Sequence, residues 1–477
     1  MRFDTGEVQE DEFAIDVLPR PAPPAGNTPV ALFDPKGQTA ELLTRCGLAF
    51  RRVQPGDDLS GYEVLVVGKE ALSLEGPAPN VQRVQQGLKV IVFEQTGEVL
   101  EKRLGFRIAE YGLRQVFRRL PDHPAVAGLA EQHLANWRGE ATVLPPTLSY
   151  QLDPRRGPIV RWCDIPVPRL WRCGNHGNVA SVLIEKPPCG DFLPIIDGGF
   201  SLRYSPLLEY REGRGLVLFC QMDVTGRTEQ DPAAEHLVRN IFRYVSAWKP
   251  TPRRNALYAG EAAGKAHLER IGVTVRDFKG QKLSAQDVLV AGPNAVELLM
   301  QHRAEISRWL RDGGNMLLVG LGDERLSALL PTKVGFQQAE HIAAYFDPPG
   351  LSSLLAGVSP ADVHNRDPRQ LPLVTSGAAI LGNGVAAKAD GANVLFCQLV
   401  PWQFQYGNEQ YSLKRTFRRT SFLLSRLLAN LGVGGSTPLL TRFHTPVSTA
   451  QPERRWLQGL YLDEPEEWDD PYRFFRW

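Results

Sequence analysis

The sequence predicts an α/β protein that consists of two tandem domains, each built on a parallel sheet with helices on its faces. Three observations predict this fold class. Short apolar segments alternate with helical stretches, the order of the segments occurs twice, and the pentapeptide Val-Leu-Phe-Cys-Gln stands late in each copy, at 217–221 and 394–398. Continuously apolar segments are typical of strands covered on both faces, and their alternation with helices indicates βαβ units.

The two copies also share their earlier strands and their closing helix. The matching segments, first copy before second, are 31–33 and 256–258, 64–67 and 288–291, 87–93 and 314–319, and the helices near 233–245 and 413–428. A repeat of this length indicates two units of one architecture. We therefore place a first domain at 28–250 and a second at 251–435.

The first copy is longer than the second, and we assign the excess to a β-rich insertion at about 145–205. Outside the repeat, Phe13, Ile15 and Val17 alternate with other residues, which predicts an extra N-terminal strand within 1–27, before a proline-rich linker. We interpret that strand as the last one of a domain upstream in a longer protein. The C-terminal tail, 436–477, is rich in aromatic residues, so we expect it to pack on a domain or on a partner.

Charge and hydropathy exclude several classes of partner. The net charge of +1 gives no electrostatic basis for binding nucleic acid or an anionic membrane. No apolar run approaches the ~20 residues that span a bilayer. The N-terminus has no apolar segment of the kind that signal peptides carry. We expect neither nucleic acid nor membrane as a partner.

Four phrases carry a resemblance to known proteins: Gly-Asn-His-Gly-Asn-Val-Ala-Ser-Val at 174–182, Asp-Phe-Leu-Pro at 191–194, Glu-Tyr-Arg-Glu-Gly at 209–213 and Glu-Glu-Trp-Asp-Asp-Pro-Tyr at 466–472. Together with the order of elements, they make the chain resemble tandem class I glutamine amidotransferase-like domains. Such domains occur in the C-terminal region of bacterial β-galactosidase-like glycoside hydrolases. The resemblance implies flavodoxin-like sheets and upstream glycoside-hydrolase domains. Localisation stays open: cytoplasmic for this chain as it stands, exported if it is part of a longer hydrolase.

An active amidotransferase of this kind carries a cysteine nucleophile on a sharp turn between a strand and a helix. The matching positions are Glu94, Gln95 and Thr96 in the first copy and Gly320, Leu321 and Gly322 in the second. Neither turn contains cysteine, and no His-x-Glu pair follows either pentapeptide. The sequence therefore predicts a pseudoenzyme without catalytic residues.

A carboxylate pair and a metal site are two further possibilities, and the residues concerned have simpler structural interpretations. Glu94, Asp197, Glu209 and Asp223 could include a glycosidase pair, but surface or loop-capping roles explain them better. His176 has no second histidine near it, so we expect no metal, and we expect no cofactor.

Residues of the insertion could bind a glycan, because aromatic rings stack on sugars and amides bond to their hydroxyl groups. The candidates are Trp162, Trp171, Asn175, His176, Asn178, Arg203 and Tyr204. The alternative is that the aromatic residues only fill the junction between the insertion and its domain.

The leading hypothesis is a non-catalytic accessory region that supports assembly or oligomerisation of a glycoside-hydrolase-like protein, through upstream domains or self-association. The alternatives are a carbohydrate-binding module and, more remotely, glycoside hydrolase activity.

Two further expectations concern side-chain environment. Cys220 and Cys397 lie in apolar strands and should be buried, whereas the disulfide state of Cys163, Cys173 and Cys189 stays open. Within the last helix, apolar residues recur at helical spacing, so the arginines near 415–419 should form its solvated face.

Overall fold

A computed structural model describes residues 3–10, 15–19, 28–143, 151–153, 155, 157–162, 165–168, 175–228, 230–404, 413–446 and 456–457. The first half of the chain holds a ten-stranded sheet and two small ones. Its strands are β1 (Val30–Phe33), β2 (Arg51–Arg52), β3 (Val64–Val67), β4 (Lys89–Val92), β5 (Ile108–Leu113), β6 (Phe117–Arg118), β7 (Trp137–Glu140), β8 (Gln151–Asp153), β9 (Gly157–Trp162), β10 (Ile165–Pro168), β11 (His176–Gly177), β12 (Ala180–Glu185), β13 (Phe192–Gly198), β14 (Tyr204–Glu212) and β15 (Gly215–Cys220). Its α-helices are α1 (Gln38–Arg45) and α2 (Pro232–Ala247).

The second half of the chain holds a seven-stranded sheet and a two-stranded one. Its strands are β16 (Asn255–Ala259), β17 (Val275–Asp277), β18 (Asp287–Ala291), β19 (Asn315–Val319), β20 (Gly335–His341), β21 (Arg369–Ser376), β22 (Ala378–Leu381), β23 (Ala386–Ala389) and β24 (Asn393–Cys397). Its α-helices are α3 (Ala262–Arg270), α4 (Val296–Gln301), α5 (Arg303–Arg311), α6 (Leu413–Asn430) and α7 (Leu439–His444). Short 3-10 segments and one π-helical turn, Val99–Arg103, connect these elements.

The two large sheets have the same strand order over five parallel strands. In the first the order is β2-β1-β3-β4-β15, and in the second it is β17-β16-β18-β19-β24. Antiparallel strands then extend each sheet, β14, β12 and β5 in the first and β23 and β22 in the second. The α/β prediction, with parallel sheets, is confirmed.

Both copies of the pentapeptide form the fifth strand of their sheet. Val217 pairs with Val90, and Val394 pairs with Met316. The strands are buried because helices or loops cover both faces of each sheet, which is why their sequences are continuously apolar. Cys220 and Cys397 are both buried and free.

The insertion and the tail both add to the first half. From the insertion, β12 and β13 join the large sheet, while β8, β9 and β10 pair among themselves. After α6 the chain returns to the first sheet, where Leu439 and Phe443 of α7 lie in a hydrophobic cluster with Phe219. The chain therefore passes from the first half to the second and then returns to the first.

The expected N-terminal strand is not formed in its described part. Residues 15–19 have no strand structure, and the side chains of Ile15 and Val17 are 73% and 86% exposed. Phe13 lies outside the described residues. Alternation alone cannot hold a strand, because a strand needs a hydrogen-bonded neighbour and none of the described strands pairs with this segment. Within the described ranges, no helix has both the length and the apolar character needed to cross a membrane.

Candidate functional site

The turn after β4 lies at the carboxyl edge of the first sheet, where open α/β sheets bind their ligands. Glu94 and Gln95 follow β4, Asp34 follows β1, Lys69 follows β3 and Asp223 follows β15. Because these strands are parallel, their carboxyl ends meet at one edge. All five side chains are buried. We call them, with their hydrogen-bonding neighbours, the carboxyl-edge cluster.

Glu94 and Gln95 fill the turn with hydrogen bonds. The Glu94 carboxylate accepts from the backbone N–H of Thr225 at 2.7 Å and from its hydroxyl at 2.8 Å. The Gln95 amide donates to the carbonyls of Gly68 at 2.8 Å and Phe93 at 2.7 Å, and its oxygen accepts from the N–H of Leu72 at 3.1 Å. This turn is thus occupied by a buried amide and a buried carboxyl group.

Asp223 is the titrating group of the carboxyl-edge cluster. Its carboxylate accepts a hydrogen bond from the hydroxyl of Ser181 at 2.6 Å. Burial, with a smaller contribution from the charge of Glu94, raises the pKa of Asp223 to about 7. Burial also raises the pKa of Glu94, while the ammonium group of Lys69 opposes that shift. A carboxyl group that exchanges its proton near neutrality could act as an acid or a base.

Several buried polar atoms beside this cluster have no hydrogen-bond partner among the described residues. They are Oδ1 of Asp34, Nε2 of Gln221, Nε and Nη1 of Arg227, and Oγ1 of Thr228. Most buried polar groups in proteins are paired, so a concentration of unpaired ones is unusual. Burial lowers the pKa of Arg227, and the negative charges of Asp223 and Glu94 oppose that shift. The chemical capacity here is that of polar binding and proton exchange; the turn has no cysteine, and the hydroxyl of Thr96 accepts a hydrogen bond from the N–H of Val99 at 3.4 Å.

Sequence reasoning missed three members of the cluster, Asp34, Lys69 and Ser181, and the neighbouring Arg227. The signal for two of them was present. Asp34 and Lys69 stand one and two residues after predicted parallel strands, as Glu94 and Asp223 stand after theirs. Ser181 and Arg227 carry no such signal, because the antiparallel strand β12 and the loop after β15 bring them to the edge.

The equivalent turn in the second sheet, after β19, is apolar around the buried Leu321. The N–H of Gly320 donates to the carbonyl of Cys397 at 2.8 Å, and the Gln398 amide donates to the carbonyl of Leu321 at 3.1 Å. A Cβ on Gly320 would come within 2.3 Å of the Val400 side chain, and one on Gly322 would come within 2.1 Å of Pro372. The titratable side chain of this turn, Asp323, is paired with Arg325 at 2.8 Å.

The proposed glycan-binding residues whose side chains the structure describes do not share one surface. His176 is exposed and its ring lies 2.7 Å from the carboxylate of Glu140. Asn175 and Asn178 are buried, and the Asn175 amide donates to the Ala141 carbonyl at 3.0 Å. Trp171 and the side chain of Trp162 lie outside the described part of the chain.

Arg203 and Tyr204, from the same set, are buried, and Tyr204 belongs to a hydrophobic cluster of the first half. Arg203 pairs with Glu185 at 2.7 Å. This arrangement removes Arg203 from contact with a surface ligand, because its hydrogen bonds are directed into the protein.

The remaining candidate carboxylates belong to separate ion pairs. Asp197 contacts Arg119 at 2.7 Å and Lys186 at 2.9 Å. Glu209 accepts a hydrogen bond from Tyr244 at 2.5 Å and pairs with Arg211. Glu94 shares none of these partners. Its charge acts instead on Asp223, whose pKa it helps to raise. In the described residues, no three His, Cys, Asp or Glu side chains are grouped as a metal site.

The polar face of α6 is buried against the first half, contrary to the prediction of a solvated face. Arg418 lies 3.0 Å from Glu185 of β12, and Arg426 lies 3.1 Å from Asp191. Arg415 and Arg419 are buried as well. The helical spacing located the apolar face correctly, but carboxylates from a distant part of the chain cover the opposite face.

Glu185 is the centre of this contact. Arg107, Arg203 and Arg418 all pair with it, at 3.6, 2.7 and 3.0 Å. Burial alone would raise the pKa of Glu185, but the three guanidinium groups hold that pKa far below its usual range. A carboxylate with this environment is permanently ionised, and it joins α6 to the first sheet.

No protein-family model matches the chain, and no curated protein matches it. Among solved structures, the chain is similar to one from the structure of PurLQS from Thermotoga maritima. The identity is 10% and the TM-score 0.26, and the match covers 38% of this chain and 99% of the other. A likeness at that TM-score supports no conclusion about function.

Proposed function

We propose that this chain is a non-catalytic scaffold composed of two degenerate amidotransferase-like domains with flavodoxin-like sheets. In this proposal it supports assembly or oligomerisation of a glycoside-hydrolase-like protein. The shared strand order of the two sheets supports the fold part, because flavodoxin-like sheets have the order 2-1-3-4-5.

The observation that carries the proposal is the helix α6. Its apolar residues, among them Phe417 and Leu424, belong to the core of the second half, and its arginines pair with carboxylates of the first. Removing the carboxylate of such a network leaves buried guanidinium groups unpaired, which is strongly destabilising. Such a contact suits a rigid support, whereas a catalytic cleft needs an accessible reactive group.

The state of the two nucleophile turns supports the same conclusion. One is filled by Glu94 and Gln95, and the other is apolar around Leu321. Neither turn presents a cysteine. Glutaminase chemistry would require an activated nucleophile at that position.

An activity screen on the purified chain tests the absence of catalysis. We expect no release of ammonia from glutamine and no hydrolysis of a panel of aryl glycosides. Turnover above background that disappears in Glu94→Gln or Asp223→Asn would overturn the proposal, because it would give the carboxyl-edge cluster a catalytic role.

Sedimentation velocity over a wide concentration range tests the assembly role. Self-association should give a species larger than 53 kDa. If the chain stays monomeric throughout, the self-association form of the proposal is excluded, and only a role towards other domains is left.

A further inference from the structure

A groove with a volume of about 350 Å³ lies at the amino edge of the first sheet, opposite the carboxyl-edge cluster. Tyr62 and Glu63 precede β3, the segment 86–88 precedes β4, and Arg214 precedes β15. Residues 248–250, just after α2, complete the lining. Small-molecule sites in proteins begin at about this volume.

The lining of this groove, called the amino-edge groove below, is strongly basic. It contains Arg83, Lys89, Arg214 and Lys249 against one carboxylate, that of Glu63. This asymmetry is local, because the whole chain has a net charge of only +1. Clefts lined by one sign of charge concentrate ligands of the opposite sign.

One of the four cations, Lys89, is bound into the fold, and Arg83 acts at longer range on the carboxylate of Asp58, as the smallest of four effects on its pKa. Lys89 donates to the carbonyl of Ser246 at 3.1 Å and lies 3.7 Å from Glu63. Within the described residues, Arg83, Arg214 and Lys249 have no carboxylate within 4.0 Å. Their positive charges are therefore available to a ligand, whereas the arginines of α6 are already paired.

Two aromatic side chains, Tyr62 and Trp248, line the same groove and are half-buried. Tyr62 packs at the margin of one hydrophobic cluster and Trp248 at the margin of another. Packing on one side restricts the motion of such rings, and their remaining surface can contact a flat or ring-shaped group. Arginine binds carboxylate, sulfate and phosphate groups by paired hydrogen bonds.

We propose that the amino-edge groove binds a ring compound that carries a carboxylate, sulfate or phosphate group. Arg83, Arg214 and Lys249 bind the oxyanion, and Tyr62 and Trp248 contact the ring. An acidic saccharide and a nucleotide both have this chemistry. The site is distinct from the insertion and from the carboxyl-edge cluster, so it does not depend on whether the chain is catalytic.

Isothermal titration calorimetry on the full chain, at low ionic strength, tests the proposal with four probes. Trigalacturonate and AMP carry both a ring and an oxyanion, maltotriose carries rings without charge, and inorganic sulfate carries charge without a ring. We expect one or both of the first two to bind at one site, at least about tenfold more tightly than maltotriose and sulfate. Which of them binds identifies the source of the ligand.

The double variant Arg83→Gln/Arg214→Gln should weaken that binding by about tenfold or more. The matched control is Arg303→Gln, since Arg303 is an exposed arginine of α5 in the other half of the chain. The control should bind like the unmodified chain. Circular dichroism should show both variants folded, because neither site is in a buried ion pair.

Three results would overturn the proposal. The first is that neither trigalacturonate nor AMP binds, and the second is that sulfate binds as tightly as they do. The third is that the double variant retains full affinity. The second result would reduce the groove to a patch that attracts anions without selecting a ring. A failure of this experiment leaves the scaffold proposal intact, because that proposal is tested by activity and sedimentation.

Discussion

The guanidinium of Arg418, in α6, lies 3.0 Å from the carboxylate of Glu185, in β12, and both side chains are 3% exposed. The two residues are 233 positions apart in the chain. Their pairing joins the last long helix of the second half to an inserted strand of the first. It explains why a helix with several arginines can be buried from Leu413 to Leu428.

Glu185→Gln should destabilise the protein more than Arg418→Met. The glutamine leaves three buried guanidinium groups without their carboxylate, which should reduce the free energy of unfolding by about 3–5 kcal/mol. Arg418→Met leaves Glu185 with Arg107 and Arg203 and should cost about 1–3 kcal/mol. Urea titration followed by circular dichroism measures both values.

The exposed i,i+4 pair Lys102–Glu98 provides the control for these two variants. Lys102→Met should change the free energy of unfolding by about 0.5 kcal/mol or less. If Glu185→Gln has an effect no larger than this control, the buried network does not stabilise the contact between the halves.

The stability of the protein should fall as pH rises through the range in which Asp223 ionises. Its pKa is about 7 in the folded protein and 3.8 for an unperturbed aspartate, so the folded state holds the proton more tightly. The folded state therefore loses stability progressively from about pH 4 to pH 7, and the full loss is present above pH 7. Asp223→Asn removes this dependence.

We expect Asp223→Asn to gain about 2–3 kcal/mol relative to the unmodified chain on going from pH 5 to pH 8. Urea titrations of both proteins at the two pH values give this difference directly. An asparagine oxygen can still accept the hydrogen bond from Ser181, so the geometry is conserved. If the free energies of unfolding of the two proteins differ by the same amount at pH 5 and at pH 8, the raised pKa does not belong to Asp223.

Cys220 and Cys397 should resist alkylation while the protein is folded. Burial raises the pKa of the Cys220 thiol well above its usual value and that of Cys397 to about 12. The thiolate is the reactive form, and both side chains are inaccessible. Iodoacetamide labelling at pH 8, read by peptide mass spectrometry, should modify both residues only when urea unfolds the protein. Labelling of either one in the native state would show that its strand opens locally.

Phe443→Ala should destabilise the first half, although Phe443 comes after α6. Its ring is buried and packs on Phe219 of β15, with ring centroids 6.4 Å apart. Removing a buried phenylalanine side chain costs about 3–5 kcal/mol. Tyr345→Ala is the control, since Tyr345 is 84% exposed. Thermal unfolding should distinguish the two, and equal melting temperatures would mean that α7 does not stabilise the sheet.

The sequence by itself determined the α/β class and the positions of the parallel strands. Segments such as 64–67 and the two pentapeptides are continuously apolar, and that pattern is imposed by burial on both faces of a sheet. It also determined that Glu94 and Leu321, and no cysteine, occupy the two turns. These are local properties, which a periodicity or a residue type reveals.

Only the tertiary structure decided which side chains meet. The same 3.6-residue periodicity that located the apolar face of α6 placed Arg418 on the opposite face, and only Glu185, from a distant strand, makes that face buried. Alternation likewise suggested a strand at Ile15 and Val17, where no described neighbour pairs with it. Buried charged groups are stabilised by partners far away in sequence, because hydrogen bonds and ion pairs depend on distance in space. Local patterns specify the elements of this protein, and long-range contacts specify the environment of each charge.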